Sequence, residues 1–263
     1  MPETSLQFVK TKIEEQVATV TLDNPPVNIL TSKVMSELDE TFSALDRNAS
    51  VKVIIFTTAG TNAFIAGADI KEIAGIDTPE KARDLALKGQ GVLNRIEQSK
   101  KICIAAIHGI CVGGGCELVM AFHIRLAGER AKFGQPEINL GIIPGFGGTQ
   151  RLARLAGLAK ARELVLTGDM ITAQEALRIG LVNRVVPDGE LLKQTLGLAK
   201  KIASKSKVCI EAAEEAMRKG IAGSLEDGLK TEAELFAQVA KSKDKQEGVQ
   251  AFIEKRQPKF QDC

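Results

Sequence analysis

The sequence predicts an α/β fold with a helical C-terminal part. Strand-length apolar or alternating runs recur through roughly the first two thirds, and helix-start signals follow several of them. Three consecutive glycines, Gly113 to Gly115, join a strand-like apolar run to a helix-like one. From about Gly189 onward the pattern is almost wholly helical. Strand–strand–helix runs that give way to helices indicate an α/β core followed by a helical region.

The elements follow in order. "LQFVKTKIEEQVATVTLD" alternates like two strands around a polar turn at Glu14–Gln16. "NPPVNIL" interrupts the pattern, because two prolines fit neither a helix interior nor a central strand. Ser32 is expected to cap a helix carrying Val34, Met35, Leu38, Phe42 and Leu45 at helical spacing. "VKVIIFTTAG" is expected to be a buried strand ended by Gly60. Thr78, Pro79 and Glu80 supply an N-cap, an N1 proline and an early acid for another helix. "KICIAAIHGICV" is expected to be a further buried strand that runs straight into the glycines. "CELVMAF" then reads as helix, "HIRLAGE" and "AKFGQPEI" as strands, and Thr172 with Glu175 as a capping box for "AQEALRI".

Composition bounds the function. With 263 residues, 44% of them hydrophobic and 26% charged, the chain can bury one substantial core. A net charge of +2 makes no case for nucleic acid or membrane. The opening "MPETSLQFVKTKIEEQ" carries charge where a signal peptide needs an apolar stretch. The odd set of five cysteines (Cys103, Cys111, Cys116, Cys209, Cys263) contains no C-x-x-C pair, and Cys103 and Cys111 sit in apolar company. The expectation is reduced, structural thiols in a cytoplasmic protein.

The glycines raise the chemical question. A strand, glycines and a helix start together make a place for negative charge, with bare amides and the positive end of a helix dipole. A dinucleotide would call for G-x-G-x-x-G, and "GGGCEL" lacks the third glycine. A P-loop would call for G-x-x-x-x-G-K-[ST], which the sequence does not contain. A carbonyl oxygen that becomes negative during reaction remains, beside the plain alternative of tight strand–helix packing. Glu117, one turn into the helix, is either a dipole partner or a catalytic acid. Glu137 lies twenty residues on, in "FGQPEINLGIIPGFGG", where a merely solvating acid is out of place. Two carboxylates beside an oxyanion site can share proton transfer, and close approach would raise one of their pKa values. "NAFIAGADIKEI" is either a further source of backbone amide or a plain loop before a helix.

At these residues the chain resembles the enoyl-CoA hydratase/isomerase, or crotonase, family. The resemblance runs through "NPPVNIL", "AFIAGADIKEI", "HGICVGGGCEL", "FGQPEINLGIIPGFGGTQRL", "LTGDMITAQEALRIGLVNRVVP" and "AFIEKRQPKF". It is closest to short-chain enoyl-CoA hydratases, because both acids are present. What it implies is a crotonase-like spiral of strand–strand–helix turns over residues 1–195, then a helical region over 196–263 that builds a homotrimer or homohexamer. It implies further that Ala68 and Gly114 donate amides to the thioester oxygen, and that Glu117 and Glu137 hold the water that adds across the double bond. The Gly145 region approaches that water. Ala66, Ala68, Asp69, Ile70 and Lys71 lie along the coenzyme A moiety, and Phe252 and Lys255 reach the CoA of a neighbouring subunit. Three apart on a helix, those last two would share a face.

No metal or redox cofactor is expected, since CoA is part of the substrate, and His108 and His123 are expected to be structural. The enzymatic alternative is another reaction of the family, such as Δ3–Δ2 enoyl-CoA isomerisation, which needs only one acid. RNA binding, known for some family members, would need a basic face; Lys200, Lys201, Lys205 and Lys207 read instead as a solvated helix end.

Overall fold

After an opening hairpin, the strands of successive strand–helix turns are divided between two sheets. A computed structural model describes residues 6–263; the first five residues of the opening segment lie outside the described residues. Strands β1 (Val9–Glu14) and β2 (Val17–Leu22) form a hairpin about Glu15 and Gln16, both at positive φ. The Pro25–Pro26 turn, with a cis peptide bond, leads to α1 (Ser32–Arg47). Thr31, not Ser32, caps this helix: its Oγ1 accepts from the Val34 amide at 3.1 Å. Ser32 begins the helix and donates its hydroxyl to Glu72 at 2.6 Å. Then follow β3 (Val53–Thr58), β4 (Ala63–Ile65), α2 (Ile70–Ala74) and α3 (Pro79–Glu97), the last capped by Thr78 as expected.

"KICIAAIHGICV" is two strands, not one. β5 (Ile102–Ile107) and β6 (Ile110–Val112) part at Gly109, whose φ of +57° belongs to glycine and whose Cβ position is 2.4 Å from the Asn62 carbonyl oxygen. The turn sends the chain from one sheet to the other. α4 (Gly114–Met120) and β7 (Ile124–Gly128) come next. The following expected strand stops early, as β8 (Lys132–Gly134), because Pro136 opens a 3-10 turn, Pro136–Leu140. α5 (Gly148–Ala156), α6 (Leu158–Thr167), β9 (Met170–Thr172), α7 (Ala173–Arg178) and β10 (Arg184–Val186) complete the mixed part, and Thr172 caps α7.

The larger sheet has the order β1-β2-β3-β5-β7-β10, parallel except for the first hairpin; the smaller is β4-β6-β8-β9. Successive turns of chain thus place β3, β5 and β7 in one sheet and β4, β6 and β8 in the other, which is a spiral. β3 is buried on both faces, as its unbroken apolar run requires.

A phenylalanine cluster anchors the end of α4. Phe122 stacks on Phe56 of β3 with ring centroids 5.4 Å apart and meets Phe42 of α1 edge-on at 5.7 Å. Burying each ring contributes on the order of 1.5–3 kcal/mol, so the helix that carries Glu117 sits on a firm base. Cys103 and Cys111 are fully buried, as expected. Both histidines are engaged in the scaffold. The Cys103 amide donates to His123 Nδ1 at 2.9 Å, and His108 lies edge-on to Phe64.

The chain divides into two compact units, residues up to 197 and residues 198–263. Helix α8 (Leu191–Ala203) spans the division. α9 (Lys207–Ala222), α10 (Leu225–Val239) and α11 (Lys243–Ile253) make up the rest of the second unit, in which α9 and α10 pack as a hairpin. Lys200 and Lys201 end α8 and Lys207 begins α9, pairing with Glu211 at 3.9 Å. No described helix is long and apolar enough to cross a membrane.

Candidate active site

Each of the three glycines has its own physical reason. Gly113 caps α4 at φ +55°, and its Cβ position is 3.1 Å from Glu137 Oε1. Gly114 opens the helix with its Cβ position 3.4 Å from Leu30 Cδ1 and 3.6 Å from the Ala68 nitrogen. Gly115 lies against Ile65, where a Cβ would sit 2.6 Å from both side chain and carbonyl. Packing and an open amide coexist in the same three residues. Neither the Gly114 nor the Ala68 amide donates to an acceptor among the described residues, whereas the neighbouring Gly67 carbonyl and Asp69 amide are taken up by Leu30. Two adjacent free donors at a cavity wall are what an oxyanion requires.

That cavity, of about 1030 Å³, belongs to the first unit. Its wall includes Ala66, Ala68, Ile70, Gly114, Glu117, Glu137 and Gly145. Seven of the sequence-derived site positions therefore meet around one space. Asp69 faces the adjoining smaller cavity, and its carboxylate caps α2 by accepting from the Lys71 amide at 2.8 Å. Lys71 lies on α2 outside the wall of the large cavity. Phe252 and Lys255 belong to the second unit. They do not share a helix face: α11 ends at Ile253, and Lys255 lies past the cap at φ +55°. Phe252 is 85% exposed.

The two acids are held differently. Glu117 is buried at 2% exposure, and its Oε1 accepts from the amides of Gly148 at 2.7 Å and Phe146 at 2.8 Å. Both of these amides donate to the same oxygen, and Glu117 lines the cavity. Burial pushes its pKa up to about 7, as does the nearby charge of Glu137; the two amides and Arg151 pull the other way. Glu137 stands on the 3-10 turn and is half-buried. Burial raises its pKa too, against its own backbone amide. The amide nitrogen of the buried Gln135, oriented to donate, lies 3.2 Å from both Glu137 oxygens.

Sequence reading missed Phe146, Gly148, Gln135 and Arg151. A signal for the first two was present: "PGFGGTQR" is a glycine loop opening a helix, the same arrangement that singled out Gly113–Gly115. Nothing local marks Gln135 or Arg151.

A spiral of paired sheets thus brings two amides with no acceptor among the described residues, and two carboxylates, to the wall of one cavity. The sequence profile of the enoyl-CoA hydratase/isomerase family matches residues 12–263, and the chain belongs to that family. It is 44% identical to a probable enoyl-CoA hydratase of Bacillus subtilis over 97% of this chain and 99% of that protein. It is 41% identical to a short-chain-enoyl-CoA hydratase of Clostridium acetobutylicum, over 92% of this chain and 93% of the relative. The crystal structure of an enoyl-CoA hydratase from Bacillus anthracis superposes with a TM-score of 0.93 at 39% identity, covering 98% of this chain and all of that one.

Proposed function

We propose that the chain is an enoyl-CoA hydratase that adds water across the 2,3 double bond of short-chain enoyl-CoA thioesters, giving 3-hydroxyacyl-CoA in fatty-acid metabolism. One observation carries the reading: Glu117 and Glu137 line the same cavity as the open amides of Ala68 and Gly114. The thioester oxygen accepts from those two amides, which stabilise the enolate as negative charge moves onto it. Glu117, with one oxygen fixed by Phe146 and Gly148, presents the other to a water molecule. The water's oxygen bonds to C3 as the π electrons shift toward the carbonyl. C2 takes up a proton under the control of Glu137, and one water supplies both added pieces. Two carboxylates with raised pKa values hold between them the proton this exchange needs near neutral pH.

No metal or redox cofactor enters this scheme, in which coenzyme A is the handle of the substrate. Along the CoA we place Ala66, Asp69, Ile70, Lys71 and Gly145, with Phe252 and Lys255 reaching the CoA of a neighbouring subunit in a homotrimer or homohexamer. The apolar face of α9 and α10 supports such an assembly: Met217 (69%), Ile221 (90%), Leu225 (78%) and Phe236 (76%) are exposed in the single chain. We place the protein in the cytoplasm.

The test is loss of the conjugated enoyl-thioester absorbance with crotonyl-CoA and longer homologues, together with light scattering for the assembly. Rapid loss with crotonyl-CoA is expected. Double-bond migration without hydration would put isomerisation in its place.

A further inference from the structure

The loop that holds Glu117 has its own foundation on α3. Gln90 donates to the Gly145 carbonyl at 2.8 Å, and the Phe146 ring fills the space where a side chain at Gly89 would sit, 2.2 Å from its Cβ position. Arg151, 9% exposed, completes the support. Its Nη2 donates to Asn94 Oδ1 at 2.6 Å and to Glu97 Oε2 at 2.7 Å, and its Nε donates to the same Glu97 oxygen at 3.2 Å. Its Nη1 donates to the Phe146 carbonyl at 3.0 Å. Phe146 is therefore gripped at both ends, its amide donating to Glu117 and its carbonyl accepting from Arg151.

We propose that Arg151 is a positioning residue for Glu117: fixed on α3 by Asn94 and Glu97, it clamps the loop whose amides hold one carboxylate oxygen, and it sets the charge balance behind that carboxylate. The inference rests on Glu117 being the group that handles water. A planar guanidinium suits the task because it can serve several acceptors in fixed directions, which a lysine ammonium cannot. Its charge favours ionised Glu117, and Glu97 is the countercharge paired with it at 2.7 Å. The other groups facing this cluster are Glu137 from the 3-10 turn, Cys116 on α4 and Arg83 of α3 at the cavity wall. His123 meets Glu97 at the backbone carbonyl, 3.2 Å away.

Opposite variants separate positioning from mere packing. Arg151→Gln removes a positive charge near Glu117, so the acidic limb of the kcat profile moves to higher pH. Glu97→Gln removes the countercharge while keeping an acceptor for Arg151, so the limb moves to lower pH. Arg151→Lys keeps the charge and loses the fork; its limb stays near that of the parent while kcat falls. For Arg151→Gln, kcat falls by up to roughly 10²-fold with KM little changed, as for a misplaced catalytic group. Thermal melts of all three show which are folded, and Glu97→Gln and Arg151→Lys carry the test if Arg151→Gln does not fold. Limbs of Arg151→Gln and Glu97→Gln that coincide with the parent's or move in the same direction, or an Arg151→Lys with the parent's kcat, overturn the inference. Such a result beside an inactive Glu117→Gln leaves the hydratase reading standing, whereas an active Glu117→Gln removes the reading itself.

Discussion

The two carboxylates of the site stand on unlike ground. Glu117 sits one turn into α4, buried, with one oxygen held by two amides from a loop about thirty residues ahead. Glu137 rides a five-residue 3-10 turn, half-buried, and its neighbour on the chain, Gln135, is its polar contact. The difference teaches how one fold makes two acids unequal. Long-range amides aim Glu117 and lower the cost of its charge, whereas Glu137 answers to the local course of the chain. Fixed aim suits the role proposed for Glu117, holding a water molecule, and a local mounting is enough for the role proposed for Glu137.

Removing either acid breaks the comparison outright. Glu117→Gln and Glu137→Gln are each expected to lower kcat by roughly 10²–10⁴ while CoA-ester binding changes much less, measured by steady-state hydration and direct binding. Near-parental hydration by either variant would end the two-acid scheme. The glycines facing each acid offer a finer cut. Gly148→Ala would put a Cβ 2.8 Å from Pro144 Cβ and 3.0 Å from Glu117 Oε1, displacing the better-anchored acid. Gly113→Ala would put one 3.1 Å from Glu137 Oε1, on a backbone at φ +55° that disfavours alanine. Each should cost roughly 1–3 kcal/mol of stability. Gly148→Ala should lose more kcat, because the crowded carboxylate is the one held by two amides. Equal losses of kcat would mean the two acids tolerate displacement alike.

Stability against pH reports on Glu117 directly. Its pKa rises from 4.5 to about 7 on folding, so its protonated form favours the folded state. That contribution is fully present below pH 4.5 and is lost as pH rises through about 7, with a limit of roughly 3 kcal/mol. Glu117→Gln should therefore gain stability relative to the parent between pH 4.5 and 8, seen as a growing difference in Tm. A difference that does not change with pH would mean the carboxylate is not penalised by burial. The smallest effect belongs to the second unit. Lys255→Glu should raise KM about twofold to fivefold in a salt-sensitive way and leave kcat nearly unchanged. A KM equal to the parent's would remove Lys255 from the CoA site.

Much of the core was legible because it is local. The hairpin at Glu14–Gln16, the Thr78 and Thr172 caps and the buried run of β3 follow from side-chain alternation and capping chemistry within a few residues. The glycine triplet and the two glutamates were legible for the same reason, as a helix start and a proline turn carrying acids. Gly109 and Pro136 were harder. A positive-φ glycine inside an apolar run and a proline after a short strand each end a strand, yet adjacent β propensity hides both.

The residue types of the site and their places along the chain were thus determined by the sequence alone, since backbone freedom, capping and charge are properties of short segments. Only the tertiary structure decided which amides meet which carboxylate. Phe146 and Gly148 reach Glu117 across 29 and 31 residues, and Arg151 reaches Glu97 across 54, separations over which no periodicity carries information. Those contacts exist because the spiral sets α3, α4 and the start of α5 around one cavity. Burial there is what raises the pKa of Glu117 to about 7. A carboxylate becomes an acid–base group near neutral pH by losing water, and how much water it loses is settled by the packing of the whole unit.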